Sequence, residues 1–461
     1  MSKRSRIMGA AAVATMLTGS LAQARPAKAQ LQPDVTLRVD APRPGRLLGL
    51  DEALGIAHRN NRDLAQAKAR IAQAHAGVLQ AWVTLLPQVA LQGKYTHNYK
   101  EVKLDFGPTA AMLGLPENAI IQKQEQLDGS VTATVPLLVP SAYQALKSAQ
   151  ALEDASRANN DVTDATVLYT TAQTYYACAG ADEVVAARKH AIVLEQKALD
   201  NAKARLDAGV VNRVEVTRAE LQLVRARQAE LEAEDAAAQS YRALGTIMNH
   251  REDVRVVSSE EPAAQADQLD ALTEQALRLR PEFPAAQKTL VSYDLQRKSD
   301  LWKWAPTLSG FGNARVFNYA GFSGDKYSWA LGLQLDWAIY DGGLRDGQRK
   351  LALAQRQEQE AKLDLLRDQV RDDVYNADRN VRTKRSALDT AKRSVQLSKE
   401  TLDLVQVQHD AGTATQLDLL QAQDNLVAAE VALAQARFDL SLGALSLERL
   451  SGAFPANLNL K

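Results

Sequence analysis

The sequence predicts a mainly α-helical chain with a small β part, in which one unit of helix, two strands and a very long helical hairpin occurs twice. Three observations carry this reading. Residues 141 to 207 contain neither Gly nor Pro apart from Gly180, and residues 344 to 410 contain only Gly347. At roughly 1.5 Å per residue, each run makes a helix about 100 Å long, far beyond the width of a globular domain. The segment Arg205-Leu-Asp-Ala-Gly209 with Val214 and Glu215 returns 203 residues later as Gln408-His-Asp-Ala-Gly412 with Leu417 and Asp418. Such self-similarity marks a tandem duplication. Finally, two stretches of strict apolar and polar alternation precede each long helix, the period of half-buried strands.

In chain order, Lys3, Arg4 and Arg6 open a basic start, Ile7 to Leu21 is apolar and small, and Ala22-Gln23-Ala24 and Ala27-Lys28-Ala29 each offer a cleavage site. Residues 1–29 therefore read as a signal peptide, cut after Ala24 or Ala29, which sends the mature chain out of the cytoplasm. No later stretch is long and apolar enough for a membrane-spanning helix. The first repeat is placed at 30–249, with helix before Pro87, strands at about 88–99 and 127–136, and a long hairpin over 141–249. Gly107, Pro108, Gly114 and Pro116 mark 100–125 as a long loop and as the place where the first copy carries extra residues. A connection at 250–270 leads to the second repeat, 271–452, with strands at about 307–320 and 327–340 and a hairpin over 341–451. Residues 453–461 form a tail.

The alternating stretches have the length and pattern of outer-membrane barrel strands. Aromatics gather there: 10 of the 24 Phe, Trp and Tyr residues fall within 302–340. Tyr95, Tyr99, Phe317, Tyr319, Tyr327, Trp329 and Trp337 are read as a membrane-interface set. In the long helices, Leu388, Val395 and Leu402 with Ala391, Ser398 and Val405, then Leu417, Val431, Phe438 and Leu445, follow a heptad spacing. At the hairpin tips, Gly209 and Gly412 supply the left-handed residue that ends a helix. Asn212 and Thr415 then stand three residues before Glu215 and Asp418, the spacing of a capping box that starts the next helix.

Composition excludes several classes. Lys and Arg number 55 against 55 Asp and Glu, so no basic excess is available for nucleic acid. Alanine makes up about one residue in six while aromatics are 5%, a profile of closely packed long helices. Cys178 is the single cysteine, which rules out an internal disulfide and a cysteine-rich metal site, and it reads as a small buried residue. The six His lack zinc-ligand spacing, and neither a nucleophile elbow nor a phosphate-binding Gly-rich loop occurs. No catalytic, metal or cofactor residue is assigned and no enzyme is expected.

Four strands cannot sit in lipid as an open sheet, because the edge amides and carbonyls would have no partner. Two chains would give 8 strands, a size filled by side chains, whereas three give 12 and begin to leave a channel. The signal peptide, the duplicated halves, the "LDEALGIAHRNNRDLAQAKARI" opening, the "LDWAIYDGGLRDGQ" corner and the paired "RLDAGVVNRVEV" and "HDAGTATQLDLLQAQ" tips resemble the TolC-like outer membrane efflux protein family over about 45–452. That resemblance implies a homotrimer in the outer membrane lipid, with a shared 12-stranded β-barrel and a trimeric α-helical barrel in the periplasm. It implies a passive exit duct that works with a periplasmic adaptor and an inner-membrane pump. It places Glu215, Asp418 and Gln421 at a periplasmic constriction, and makes Ala208, Gly209, Val210, Ala411, Gly412 and Thr413 the adaptor-contacting tips. The alternative, from the strands alone, is a soluble periplasmic coiled-coil scaffold with a local sheet.

Overall fold

Residues 46–105, 107, 118–250, 252–257, 269–320 and 325–455 are described in a computed structural model of the chain. The signal segment 1–29 and the residues from 456 onward lie outside the described residues. Asn61 divides the first predicted helix. It adopts an extended backbone, with φ −62° and ψ 138°, and its side chain accepts the amides of Asp63 and Leu64, so α1 (Leu50–Asn60) stops and α2 (Arg62–Val83) starts.

Four strands form one antiparallel sheet. Its order is β2 (Gln88–His97), β5 (Glu125–Leu138), β7 (Thr307–Phe317) and β8 (Tyr327–Asp336), so one strand pair from each repeat meets at β5 and β7. The ladders stop at His97, Phe317 and Asp336, short of the expected 99, 320 and 340, while β5 runs beyond 127–136 at both ends. The stretch 100–125, expected as a loop, contains a further antiparallel pair, β3 (Val102–Asp105) with β4 (Asn118–Gln122). A short parallel pair, β1 (Arg46–Leu48) with β6 (Val254–Val256), ties the start of the first repeat to the connection after it. Residues 258–268 of that connection lie outside the described residues.

The helices dominate. Between β5 and β6 run α3 (Pro140–Asp207) and α4 (Arg213–Met248). After β6 come α5 (Leu269–Leu279), parted from α6 (Glu282–Trp302) by Arg280 and Pro281, and after β8 come α7 (Leu344–Asp410) and α8 (Gln416–Leu450). Near the tips the long helices lie side by side in the order α4, α3, α8, α7, while α2 and α6 cover the sheet-side part of α3. Alanines make the close approaches: Ala155, Ala165, Ala172, Ala198, Ala202 and Ala219 are all buried. Gly180 does the same against α8, since a Cβ there would stand 2.9 Å from Phe438 Cβ. Among the described residues, no helix is long and apolar enough to cross a membrane.

Leu388 and Leu402 are buried as the heptad spacing predicts, but Leu417 is exposed and Leu419 and Leu420 take its place. The reason is that α8 has two neighbours at this level. Leu419, Ala422 and Leu426 pack against Leu402 of α7 and Leu194 of α3, which demands a wider apolar face than a two-helix seam. Cys178 is buried beside Tyr175, and burial pushes its thiol up to about 12, so it is inert.

Candidate functional site

At the first tip, Gly209 takes φ +76°, its amide donates to Leu206 O at 2.9 Å, and the Val210 amide donates to Arg205 O at 2.9 Å. At the second, Gly412 takes φ +77°, with Gly412 N to His409 O at 3.0 Å and Thr413 N to Gln408 O at 2.9 Å. Both are Schellman turns, and the positive φ is what glycine alone adopts without strain. Ala208, Gly209, Val210, Ala411, Gly412 and Thr413 are all exposed at these ends.

The helices that leave the turns start differently. Thr415 and Asp418 close a capping box: the Asp418 amide donates to Thr415 Oγ1 at 3.2 Å, and the Thr415 amide donates to Asp418 Oδ2 at 2.9 Å. The Thr415 hydroxyl also donates to Oδ2 at 2.7 Å, and with the Thr415 amide it holds the Asp418 carboxyl below the usual carboxylate range. The equivalent expectation for Glu215 is corrected. Asn212 turns its Oδ1 to the Val214 amide at 3.0 Å, one residue earlier, and Glu215 closes no box. Thr415→Val is therefore expected to speed hydrogen exchange across the first turn of α8, whereas Glu215→Gln leaves the first turn of α4 unchanged. Gln421 is exposed and bonds along its own helix to Asn425 Oδ1 at 3.2 Å.

Sequence spacing missed the link between the tips. Arg205 of α3 places Nη1 2.6 Å from Nε2 of the buried His409 of α7, so a guanidinium that only donates meets an imidazole nitrogen that accepts. These residues are 204 positions apart and share no local pattern.

The sheet has two unlike faces. The register sets Leu91 opposite Val131, Val131 opposite Ala314, and Ala314 opposite Trp329, and the same side carries Val89, Tyr95, Leu127, Tyr327, Leu331, Leu333 and Leu335. Most of these side chains are more than half exposed, an apolar patch of the kind that marks a protein or membrane contact surface. The opposite face carries Gln92, Lys94, Asp128, Ser130, Asn313, Arg315 and Gln334. Here the assigned interface set needs correction. Phe317 stands opposite Asp128 and Arg315 lies over its ring at 5.1 Å, while the Tyr319 hydroxyl accepts from Gln126 Nε2 at 3.1 Å. Both rings belong to the polar face. Tyr95, Tyr327 and Trp329 keep to the apolar one, and Tyr99 lies beyond the end of β2, almost fully exposed. At the helix end of the sheet, Trp337 donates to Trp304 O at 3.1 Å, and half-exposed Trp82 and Trp302 lie at the ends of α2 and α6 that lead into β2 and β7. Arg345, bonded to Asp341 Oδ2 at 2.8 Å, stacks 4.2 Å above Trp304 and fixes the corner between β8 and α7.

Comparison with known proteins gives the same architecture and the same repeat. Nodulation protein T of Rhizobium leguminosarum bv. trifolii is 26% identical over 392 residues, 82% of this chain and 79% of that protein. Outer membrane protein TolC of Vibrio cholerae is 25% identical over 422 residues, 87% of this chain and 90% of that protein. The crystal structure of the Campylobacter jejuni CmeC outer membrane channel superposes with a TM-score of 0.71 at 18% identity, over 87% of this chain and 85% of that one. A family profile described as outer membrane efflux protein matches residues 53–250 and 272–453, one block for each repeat. With both repeats matched across most of its length, the chain belongs to the outer membrane efflux protein family.

Proposed function

We propose that three copies of this chain close into a passive exit duct through the outer membrane and across the periplasm, delivering the cargo of an energised pump. One observation carries this reading: the chain is left open at the same two sides on two levels. Among the described residues, β2 and β8 are unpaired edges of the sheet on either side of an apolar face. Because the order β2, β5, β7, β8 is antiparallel throughout, β8 of one copy meets β2 of the next in antiparallel sense, so closure continues the ladder. The polar face then lines the lumen and lipid covers the apolar one.

Among the helices the outermost two are α4 and α7, and each leaves an apolar stripe exposed near the tips. On α4 it is Val214, Leu221, Val224 and Leu231, at heptad a and d spacing, and on α7 it is Leu397, Leu404 and Val407. The two helices run in opposite directions, so α4 of one copy packs antiparallel on α7 of its neighbour. Leu404→Lys is expected to shift the detergent-solubilised protein from trimer toward monomer in native mass spectrometry while helix content is unchanged. A trimer equally stable with the lysine would remove α7 from the interface. The primary test is membrane fractionation with native mass spectrometry and planar-bilayer recording. A trimeric, conducting species in the outer-membrane fraction supports the duct, and a soluble monomer supports the coiled-coil scaffold instead.

In this assembly the tips gather at the periplasmic mouth. Three copies each of Glu215 and Asp418 set acidic charge there, with Gln421 adding neutral amides one turn on, and a carboxylate ring favours cations. Asp418 keeps its charge to lower pH than an ordinary aspartate, because its partners depress its pKa. Cation preference is therefore expected to hold down to about pH 4 and to fall only below the ordinary value of 3.8. Asp418→Asn leaves only the Glu215 carboxylates and weakens it at neutral pH, and an unchanged reversal potential would leave Asp418 a cap alone. The exposed tip residues at 208–210 and 411–413 meet the periplasmic adaptor, through which the inner-membrane pump couples to the duct. Val210→Asp should reduce export while assembly is spared.

A further inference from the structure

Glu195, in the tip-side part of α3, is only 3% exposed, and its Oε2 has no hydrogen-bond partner among the described residues. Two helices cover it. Leu199 packs with Leu223 of α4, and Leu194 packs with Leu426 of α8, so the carboxyl lies where one hairpin meets the other. The charges on those helices do not neutralise it. From α8 comes Asp424, a like charge, while Glu430 is taken by His190 at 2.9 Å. From α4 come Arg225 and Arg227. Arg225 donates to Gln222 at 3.3 Å, and Gln222 donates to Asp424 at 3.0 Å, while Arg227 reaches Gln196 at 3.5 Å. On α8, Gln423 is also buried and its Oε1 likewise has no partner. An ionised carboxylate would be costly here, because no described group replaces the water that Oε2 gives up. Burial, and then Asp424, push the Glu195 carboxyl up from 4.5 to about 7, and burial raises Asp424 as well.

We propose that Glu195 is a proton-controlled latch between the two helical hairpins: protonated, it allows α3 to lie closed on α8, and ionised, it drives the tip-side part of that seam apart. The direction follows from the two environments. In the closed seam the carboxyl holds its proton to about 7, and once hydrated in an opened seam it returns to about 4.5. Closure is fully favoured below 4.5, weakens as pH rises, and reaches its weakest level above about 7. The opening constant is expected to climb about 10-fold per pH unit across that window, about 300-fold in all, and then to stay level. Glu195 lies twelve residues before Asp207, about 18 Å along the helix from the tip. On the duct reading, to which this part of the inference is tied, an opened seam there loosens the periplasmic mouth. The proton therefore acts on the width of the exit.

The test is hydrogen exchange by mass spectrometry on the full chain in detergent from pH 5 to 8.5, corrected for the chemical exchange rate. Peptides covering 188–205 and 418–432 should lose protection steeply up to about pH 7 and no further, while peptides around 165–178 stay constant. Glu195→Gln should remain protected and flat across the range. Asp424→Asn removes the like charge, so its loss of protection should be smaller and level off at lower pH, and it serves as the readout should Glu195→Gln fail to fold. A wild-type profile as flat as that of Glu195→Gln, or an Asp424→Asn profile identical to wild type, would overturn the latch. Planar-bilayer recording of the same samples separates the two readings. Absence of pores at every pH defeats the duct and leaves the exchange result to decide the latch, whereas pores with a flat exchange profile defeat the latch alone.

Discussion

Leu331→Arg is expected to keep the chain out of the outer membrane. Leu331 sits in the middle of β8, 76% exposed on the apolar face, where its Cδ2 occupies the space above Gly312. An arginine on the lipid side at mid-membrane depth costs about 2–4 kcal/mol, and three copies in one barrel multiply that to about 6–12 kcal/mol. This is as large as the whole stability of many folded domains. The variant should disappear from the outer-membrane fraction and from detergent-stable trimers. Gln92→Arg, on the opposite face of β2, places the same charge toward the lumen and should assemble as the unmodified chain does. Equal assembly of both variants would mean that the apolar face does not meet lipid.

The second large effect is expected at Tyr175. Its ring is buried, and its hydroxyl stands 2.9 Å from both Leu48 O and Val257 O while accepting the Val257 amide at 3.0 Å. A single hydroxyl thus holds the ends of β1 and β6 against the middle of α3. Tyr175→Phe keeps the packing and leaves the Val257 amide its 3.2 Å bond to Leu48 O, but removes the hydroxyl from both carbonyls, a loss of about 1 kcal/mol. Tyr175→Ala also leaves a ring-sized cavity and should cost about 3–5 kcal/mol or more. Denaturant midpoints in detergent should fall in the order native, Phe, Ala, and proteolysis near 46–48 should accelerate in the same order. If the Phe variant matches the native protein, the hydroxyl is not what holds the strands.

What the sequence showed, and what it hid, divide by the distance over which the signal acts. The long helices, the glycine turns at the tips and the alternating strands were legible because each is written in neighbouring residues. Aromatic clustering reads Phe317 and Tyr319 as membrane-interface residues, yet strand parity sets them on the polar face. Asn313 and Arg315 are polar while Ala314 and Val316 are not, so 317 and 319 share the polar phase. Glu215 had the spacing of a box partner, but Asn212 spends its acceptor on Val214, which spacing alone does not reveal. The Arg205 and His409 pair, the buried Glu195 and the three-residue strands β1 and β6 depend on segments that meet only after folding. No local period announces them.

The open edges of the four-stranded sheet also constrain how the protein comes into being. A single chain has no closed barrel to insert, so insertion and assembly cannot be successive events. In the proposed trimer, each chain crosses an aqueous compartment before assembly with bare strand edges and an uncovered apolar face, the features that drive aggregation. On that assembly, biogenesis is a concentration-dependent step in competition with misassembly. Its rate rises more steeply than linearly with the supply of chains, and it depends on whatever covers that face during transit.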